Sequence, residues 1–271
     1  MTLSPAARWS LRIAMGLGLV FIYVPLLLVL VNSFNGDRTF AWPPDDLTTR
    51  WWAAAWANEG ARQALLTSVK AGLGATAIAL VLGTMVSFAV QRFAFFGRDT
   101  VSLLIILPIA LPGIVTGIAL DSAWRSVMGD LGIGKGMFSV IVGHATFCVV
   151  IVYNNVLARL RRTGTSLEDA SADLGASPWQ TFRFITFPMI RTALLAGGLL
   201  AFALSFDEII VTTFTAGPGV TTLPIWIFNN LFRPNQAPIV NVVAAVLIVL
   251  SVIPVWLAQR LAGPEAGASR T

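Results

Sequence analysis

Few residues in this chain are equipped for chemistry. Two adjacent carboxylates, Asp207 and Glu208, interrupt the apolar stretch LAFALSFDEIIVTTF. A second acidic group, Glu168, Asp169 and Asp173, opens EDASADLGASPWQTFRFITFP, which lies between two long apolar runs. One His and one Cys are present, so neither a histidine cluster nor an intrachain disulfide can form. No HExxH, GxxxxGK or GxGxxG stretch occurs. No nucleophile–base arrangement and no carboxylate pair for hydrolysis can be read from the spacing. The chain is therefore not expected to be an enzyme. Any nucleotide chemistry it depends on belongs to another chain. A carboxylate in a membrane span costs about 3 kcal/mol or more unless protein or water covers it. The Asp207–Glu208 pair must therefore face a path, a partner subunit or a local arginine.

The elements that position these groups are apolar helices. The 271 residues are 56% hydrophobic and only 11% charged, against roughly 25% charge in a soluble domain. Mean hydropathy is +0.78. Six segments, at about 11–33, 65–90, 100–121, 136–157, 191–213 and 239–258, approach the ~20 apolar residues needed to cross a bilayer. An all-α integral membrane protein with six spans is expected. The first run is too long for a signal-peptide core and lacks a small-residue cleavage pattern, so it is expected to be retained.

A net charge of +5 and a pI near 10.3 do not point to nucleic acid, because the charges sit between apolar runs rather than in one stripe. Their distribution reads as topology instead. Arg8, Arg12, Arg92, Arg98, Arg159, Arg161, Arg162, Arg183, Arg191, Arg260 and Arg270 fall on one side. Arg38, Arg50, Arg62, Arg125, Lys135 and Arg233 fall on the other. The excess puts both termini and the 158–190 loop in the cytoplasm.

Within that loop, Ser166 and Asp169 form a weak capping box for a helix ending near Leu174. Gly175 can take the left-handed position after it. Ser177, Pro178 and Gln180 start a second helix, which Pro188 would end or kink. Trp179 and Phe182 share a face. A helix–glycine–helix knob of this kind suits docking to a soluble partner; the alternative is an amphipathic loop lying on the membrane. In the third span, LPIALPG carries Pro108, Pro112 and Gly113, a possible gating kink or a static one.

These residues support a resemblance. Glu168-Asp169-Ala170, then Gly175, then Ile185 and Pro188 resemble the cytoplasmic loop of type I ABC importer permeases. That family's pattern is E-A-A, three residues, G, nine residues, I, any residue, L-P. Asp169 stands for an alanine and Phe187 for the leucine. Ile106–Gly113, Val142–Asn155 and Leu200–Gly219 are similar to the second permease of bacterial polyamine (putrescine/spermidine) importers.

The resemblance implies a MetI-like permease fold with a coupling loop. Residues 1–60 would hold the first span and outer loop, 61–260 the permease core, and 261–271 a cytoplasmic tail. It also implies a bacterial inner-membrane complex of two permeases, two ATPases and an extracytoplasmic binding protein. No cofactor is expected in this chain; ATP and Mg2+ would bind the ATPases. Glu168 would be the polar contact to the ATPase, Gly175 would shape the turn, and Ile185 and Pro188 would set the second short helix. For a polyamine cation, the path residues would be Asp207 or Glu208, with Asp207 slightly favoured. Asp121 and Trp226 are weaker candidates, Trp226 as an outer-face aromatic contact. Two other classes remain open from sequence: an ATPase-independent secondary transporter, which should show interrupted helices in inverted repeats, and a structural membrane subunit.

Overall fold

A computed structural model describes residues 4–37, 43–233 and 236–262. The described residues are helical apart from loops and one isolated bridge between Asn35 and Leu47. The helices are α1 (Pro5–Asn32), α2 (Arg50–Ala57), α3 (Glu59–Arg92), α4 (Arg98–Ala110), α5 (Gly113–Ala123), α6 (Met137–Thr163), α7 (Ser166–Asp173), α8 (Pro178–Thr181), α9 (Phe187–Phe206), α10 (Ile210–Thr215), α11 (Leu223–Asn230) and α12 (Ala237–Ala262). Among the described residues, five helical runs are long and apolar enough to cross a membrane, and six if the bent pair α4–α5 counts as one.

The chain divides into two compact units: Met1–Arg62 with Trp226–Val249, and Gln63–Ile225 with Leu250–Thr271. In the first, α1 buries none of its residues. The loop after it is closed by backbone bonds from Gly36 to Asp46 (2.8 Å) and from Thr48 to Phe34 (2.7 Å), and by Arg50 donating to the Gly36 carbonyl.

The second unit is built around α6, with 61% of its most apolar stretch buried. Small residues let its neighbours approach. Ala71, Ala75 and Ala79 recur every four residues on α3 and are fully buried. A Cβ at Gly83 would lie 2.9 Å from the Val149 carbonyl of α6. On α9, Gly197 lies against Val152 and Asn155 of α6, and Ala201 is fully buried in the same core as Cys148, Val156 and Ile190. The Tyr153 hydroxyl donates to Ser102 at 3.1 Å, tying α6 to α4.

Two expected spans are not single helices. The third breaks at Leu111–Pro112 and turns by 107° into α5, far more than a kink. Pro112 has no N–H to continue a ladder and disfavours helical backbone at Leu111, which is extended with ψ 146°. The fifth ends at Phe206 and resumes as α10 at Ile210. The acidic pair therefore lies at a helix break and not within a helix.

Candidate functional site

Two places gather the polar residues of the second unit. The first is the loop after α6. α7 begins after Thr165, whose side chain makes no cap; the expected Ser166–Asp169 box does not form, because Ser166 is already helical. The end of α7 follows local chemistry closely. Ala176 N–H bonds the Ser171 carbonyl at 3.1 Å and Gly175 N–H bonds that of Ala172 at 2.9 Å, the paired closure that needs a left-handed residue. Gly175 supplies it with φ 82°. Ser177 and Gln180 then form the reciprocal box, with Ser177 N–H to Gln180 Oε1 at 2.8 Å. The Ser171 and Thr181 hydroxyls meet at 3.0 Å and join the two short helices.

Pro188 does not end the second helix. Residues Phe182–Thr186 form a π turn, and Phe187 N–H reaches back to Phe182. The wider turn absorbs the missing proline donor, and helix runs on from Pro178 to Phe206. Trp179 and Phe182 stack with ring centroids 5.7 Å apart. Leu174, Trp179 and Phe184 are 90%, 65% and 68% exposed. Asp169, Ala170 and Gly175 are exposed, as is Pro188, and Ile185 is half-buried.

Glu168 does not face outward. Its Oε1 accepts from Arg92 Nη2 at 2.9 Å and from the Thr186 hydroxyl at 3.0 Å. The family spacing explains why it is not the outward acid. Three residues before Gly175 the triplet is Asp169-Ala170-Ser171, so Asp169 occupies the acidic position and Glu168 precedes it. Arg92, which pairs with Glu168, lies 76 residues away in sequence.

The second place is where the two helix breaks meet. A Cβ on Gly113, at the start of α5, would lie 3.5 Å from Ile210 at the start of α10. A cavity of about 310 Å³ opens beside them, lined by Pro108, Gly113, Thr116, Phe147, Ile151 and Glu208 among others. Glu208 Oε1 accepts from Val211 N–H at 2.8 Å, so the carboxylate caps α10 and is held at the cavity wall. It has no ion pair among the described residues. Asp207, the last cap residue of α9, is exposed and does not line this cavity. Of the two acids left open by the sequence, with a slight lean to Asp207, Glu208 is the one on this wall.

Behind Glu208 lies His144, the single histidine, fully buried on α6. Its Nδ1 meets Ser205 Oγ at 2.7 Å and its Nε2 meets Thr212 Oγ1 at 2.7 Å. Thr212 Oγ1 donates to the Glu208 carbonyl at 2.9 Å. With its one proton so used, Thr212 accepts from Nε2–H, and Ser205 donates to Nδ1. This chain of bonds links α6, α9 and α10 behind the acidic break. No spacing rule announces it; its only sequence trace is a polar residue in an apolar run.

The other two path candidates are placed elsewhere. Both oxygens of Asp121 are engaged, by Lys135 Nζ at 2.6 Å and Arg125 Nε at 2.9 Å. Lys135 also donates to the Phe214 carbonyl at 3.2 Å. Asp121 is thus neutralised in place. Trp226, in the first unit, is only 8% exposed; its indole nitrogen lies 3.0 Å from where a Gly60 Cβ would stand. It is a packed residue, and the outer-face contact is corrected. Among the described residues no group of His, Cys, Asp and Glu could hold a metal ion.

Apolar helices long enough to cross a bilayer, two of the expected spans broken near one small cavity, describe a multi-pass membrane protein. The chain belongs to the family of binding-protein-dependent transport system inner membrane components, whose model matches residues 75–263. It is 32% identical over 244 residues to the putrescine transport system permease PotI of Escherichia coli (strain K12), covering 89% of this chain and 85% of that one. It is 32% identical over 242 residues to the spermidine/putrescine transport system permease PotC of the same organism, covering 89% of each. A Salmonella typhimurium (strain LT2) permease, PhnV, named provisionally for 2-aminoethylphosphonate, is 28% identical over 95% of both chains. The fold matches a bacterial ABC transporter for alginate import (TM-score 0.65, 16% identity, 97% and 98% of the two chains). It also matches the MetNI methionine ABC transporter in an inward-facing form (TM-score 0.57, 18% identity, 75% and 97%). This membership removes the secondary transporter and the purely structural subunit.

Proposed function

We propose that this chain is one of two permease subunits of an ATP-driven importer for a small organic cation of the putrescine–spermidine class. The observation that carries the substrate class is the 32% identity, across 89% of the chain, to two polyamine permeases. Glu208 supports it. It is a fixed carboxylate with no ion pair among the described residues, on a cavity wall at two helix breaks, and suits an alkylammonium. Apart from Thr116 the rest of the lining is apolar, which suits a methylene chain. The site binds weakly by design, because a path that retains its cargo does not conduct.

Both termini and the 164–188 loop lie in the cytoplasm of a bacterial inner membrane on this reading. The exposed Asp169, Leu174 and Trp179, ordered by Gly175, dock an ATPase subunit. ATP and Mg2+ act on that partner. A second permease and an extracytoplasmic binding protein complete the complex.

The test is ATP-dependent uptake by the full complex in proteoliposomes, with labelled putrescine, labelled spermidine and labelled 2-aminoethylphosphonate offered separately. Saturable uptake of either polyamine is expected. Uptake of the phosphonate with neither polyamine transported would reject the cation assignment and leave the importer class standing.

A further inference from the structure

Arg92 ends α3, the longest helix among the described residues, and its side chain is only 12% exposed. Nη2 donates to Glu168 Oε1 at 2.9 Å and to the Gly164 carbonyl at 2.9 Å. Thr186, buried in the π turn, donates to the same Glu168 oxygen at 3.0 Å. One carboxylate oxygen and one guanidinium nitrogen thus join four pieces of chain: the end of α3, the linker after α6, α7 itself, and the turn that leads into α9. The pair is separated by 76 residues.

From this geometry we infer that Arg92 and Glu168 are positioning residues that lock the loop's two short helices to the ends of the spans, so that loop and spans move as one body. The coupling consequence rests on the proposal that this loop docks an ATPase. Three features argue for a device rather than an incidental surface pair. Both side chains are largely buried, Glu168 being 18% exposed, and a surface pair would contribute little. Arg92 Nε is buried with no acceptor among the described residues, a cost the site carries to hold the cation there. The outward acids of the loop are Asp169 and Asp173, so Glu168 is free of the docking surface and serves the joint alone. Removing Glu168's charge leaves a shielded guanidinium facing only neutral oxygens, a strongly unfavourable arrangement.

The experiment uses the full chain in lipid nanodiscs and the assembled complex in proteoliposomes. Amide hydrogen exchange across 166–186 is measured for Glu168→Gln, Arg92→Gln, the double variant and Asp169→Asn. Each single change at the joint should speed exchange about tenfold or more. The double should be no faster than the quicker single, because one interaction is lost in all three. Arg92→Lys, which keeps charge but not the planar fork, should fall between. Asp169→Asn should leave exchange unchanged and weaken ATPase co-purification. In the complex, the Glu168 and Arg92 variants should hydrolyse ATP with a lowered ratio of uptake to hydrolysis.

Unchanged exchange in Glu168→Gln, the isosteric change, would overturn the joint by itself, even if Arg92→Gln does not accumulate. Additive single effects would overturn the pairing. Faster exchange with an unchanged uptake-to-hydrolysis ratio would leave a local brace and reject the docking role of the loop.

Discussion

At the scale of single residues, the acidic pair separates into two different positions. Glu208 caps α10 through one oxygen and lines the cavity, while Asp207 is exposed beside it. Glu208→Gln keeps an acceptor for Val211 N–H and removes only the charge. Polyamine uptake should fall about tenfold or more, the scale of one desolvated charge contact, with ATPase co-purification intact. Asp207→Asn should change uptake less than twofold. Initial rates in proteoliposomes check both, and equal losses would reverse the assignment to Glu208. His144 is a separate case. His144→Ala strands the Ser205 and Thr212 hydroxyls and opens a void on α6, so the unfolding midpoint in detergent should drop by the equivalent of about 3 kcal/mol. Its single-residue effect should exceed that of any exposed substitution on α1.

At the scale of elements, glycines mark where backbones must turn or touch. Gly175 has φ 82° and open space around its missing Cβ, so substitution there is resisted by conformation and not by clash. Asn reaches the left-handed region easily, Ala at about 1 kcal/mol, and β-branched Val at more. Coupled uptake should therefore decline in the order Asn, Ala, Val at position 175, with the transmembrane core unaffected. A flat response across the three would show that the turn does not shape the docking surface. Gly83 is the opposite case. Its Cβ would meet the Val149 carbonyl and Val152 Cβ at 2.9 Å and Tyr153 N at 3.1 Å, and backbone cannot step aside cheaply. Gly83→Ala should cost about 1–3 kcal/mol by forcing α3 from α6. Gly16→Ala on α1, with nothing within 4 Å, should cost nothing; thermal stability in detergent compares them.

At the scale of the whole molecule, the charge distribution makes a topological claim that labelling can check. In a Cys148→Ala background, which removes the buried native thiol, single cysteines at Asp45 and Leu174 present exposed sites. A membrane-impermeant thiol reagent added outside intact cells should modify position 45 and not position 174. Modification of both from one side would reject the placement of the 164–188 loop in the cytoplasm.

Features that depend on neighbours in sequence were legible without coordinates. The apolar runs follow from composition, because each span must satisfy its backbone internally whatever it packs against. Gly175, the Ser177–Gln180 box and the Trp179–Phe182 stack follow from hydrogen-bond and side-chain rules that reach only three to five residues. Pro112 announced a break for the same reason, though not its angle. What tertiary structure alone decided lies between residues far apart in sequence. Arg92 meets Glu168 across 76 positions, His144 meets Ser205 across 61, and Asp121 is neutralised by Lys135 from a different segment. Glu208 and not Asp207 lines the cavity because α9 stops at Phe206, and no helical-wheel argument survives a break at the residues in question. Pro188 failed to end its helix because a π turn widened ahead of it. Trp226 failed as a surface contact because Gly60 leaves room for its ring. Short-range bonds are encoded by residue order, whereas burial and charge pairing are set by which helix faces come together, and that depends on every small residue that lets two backbones approach.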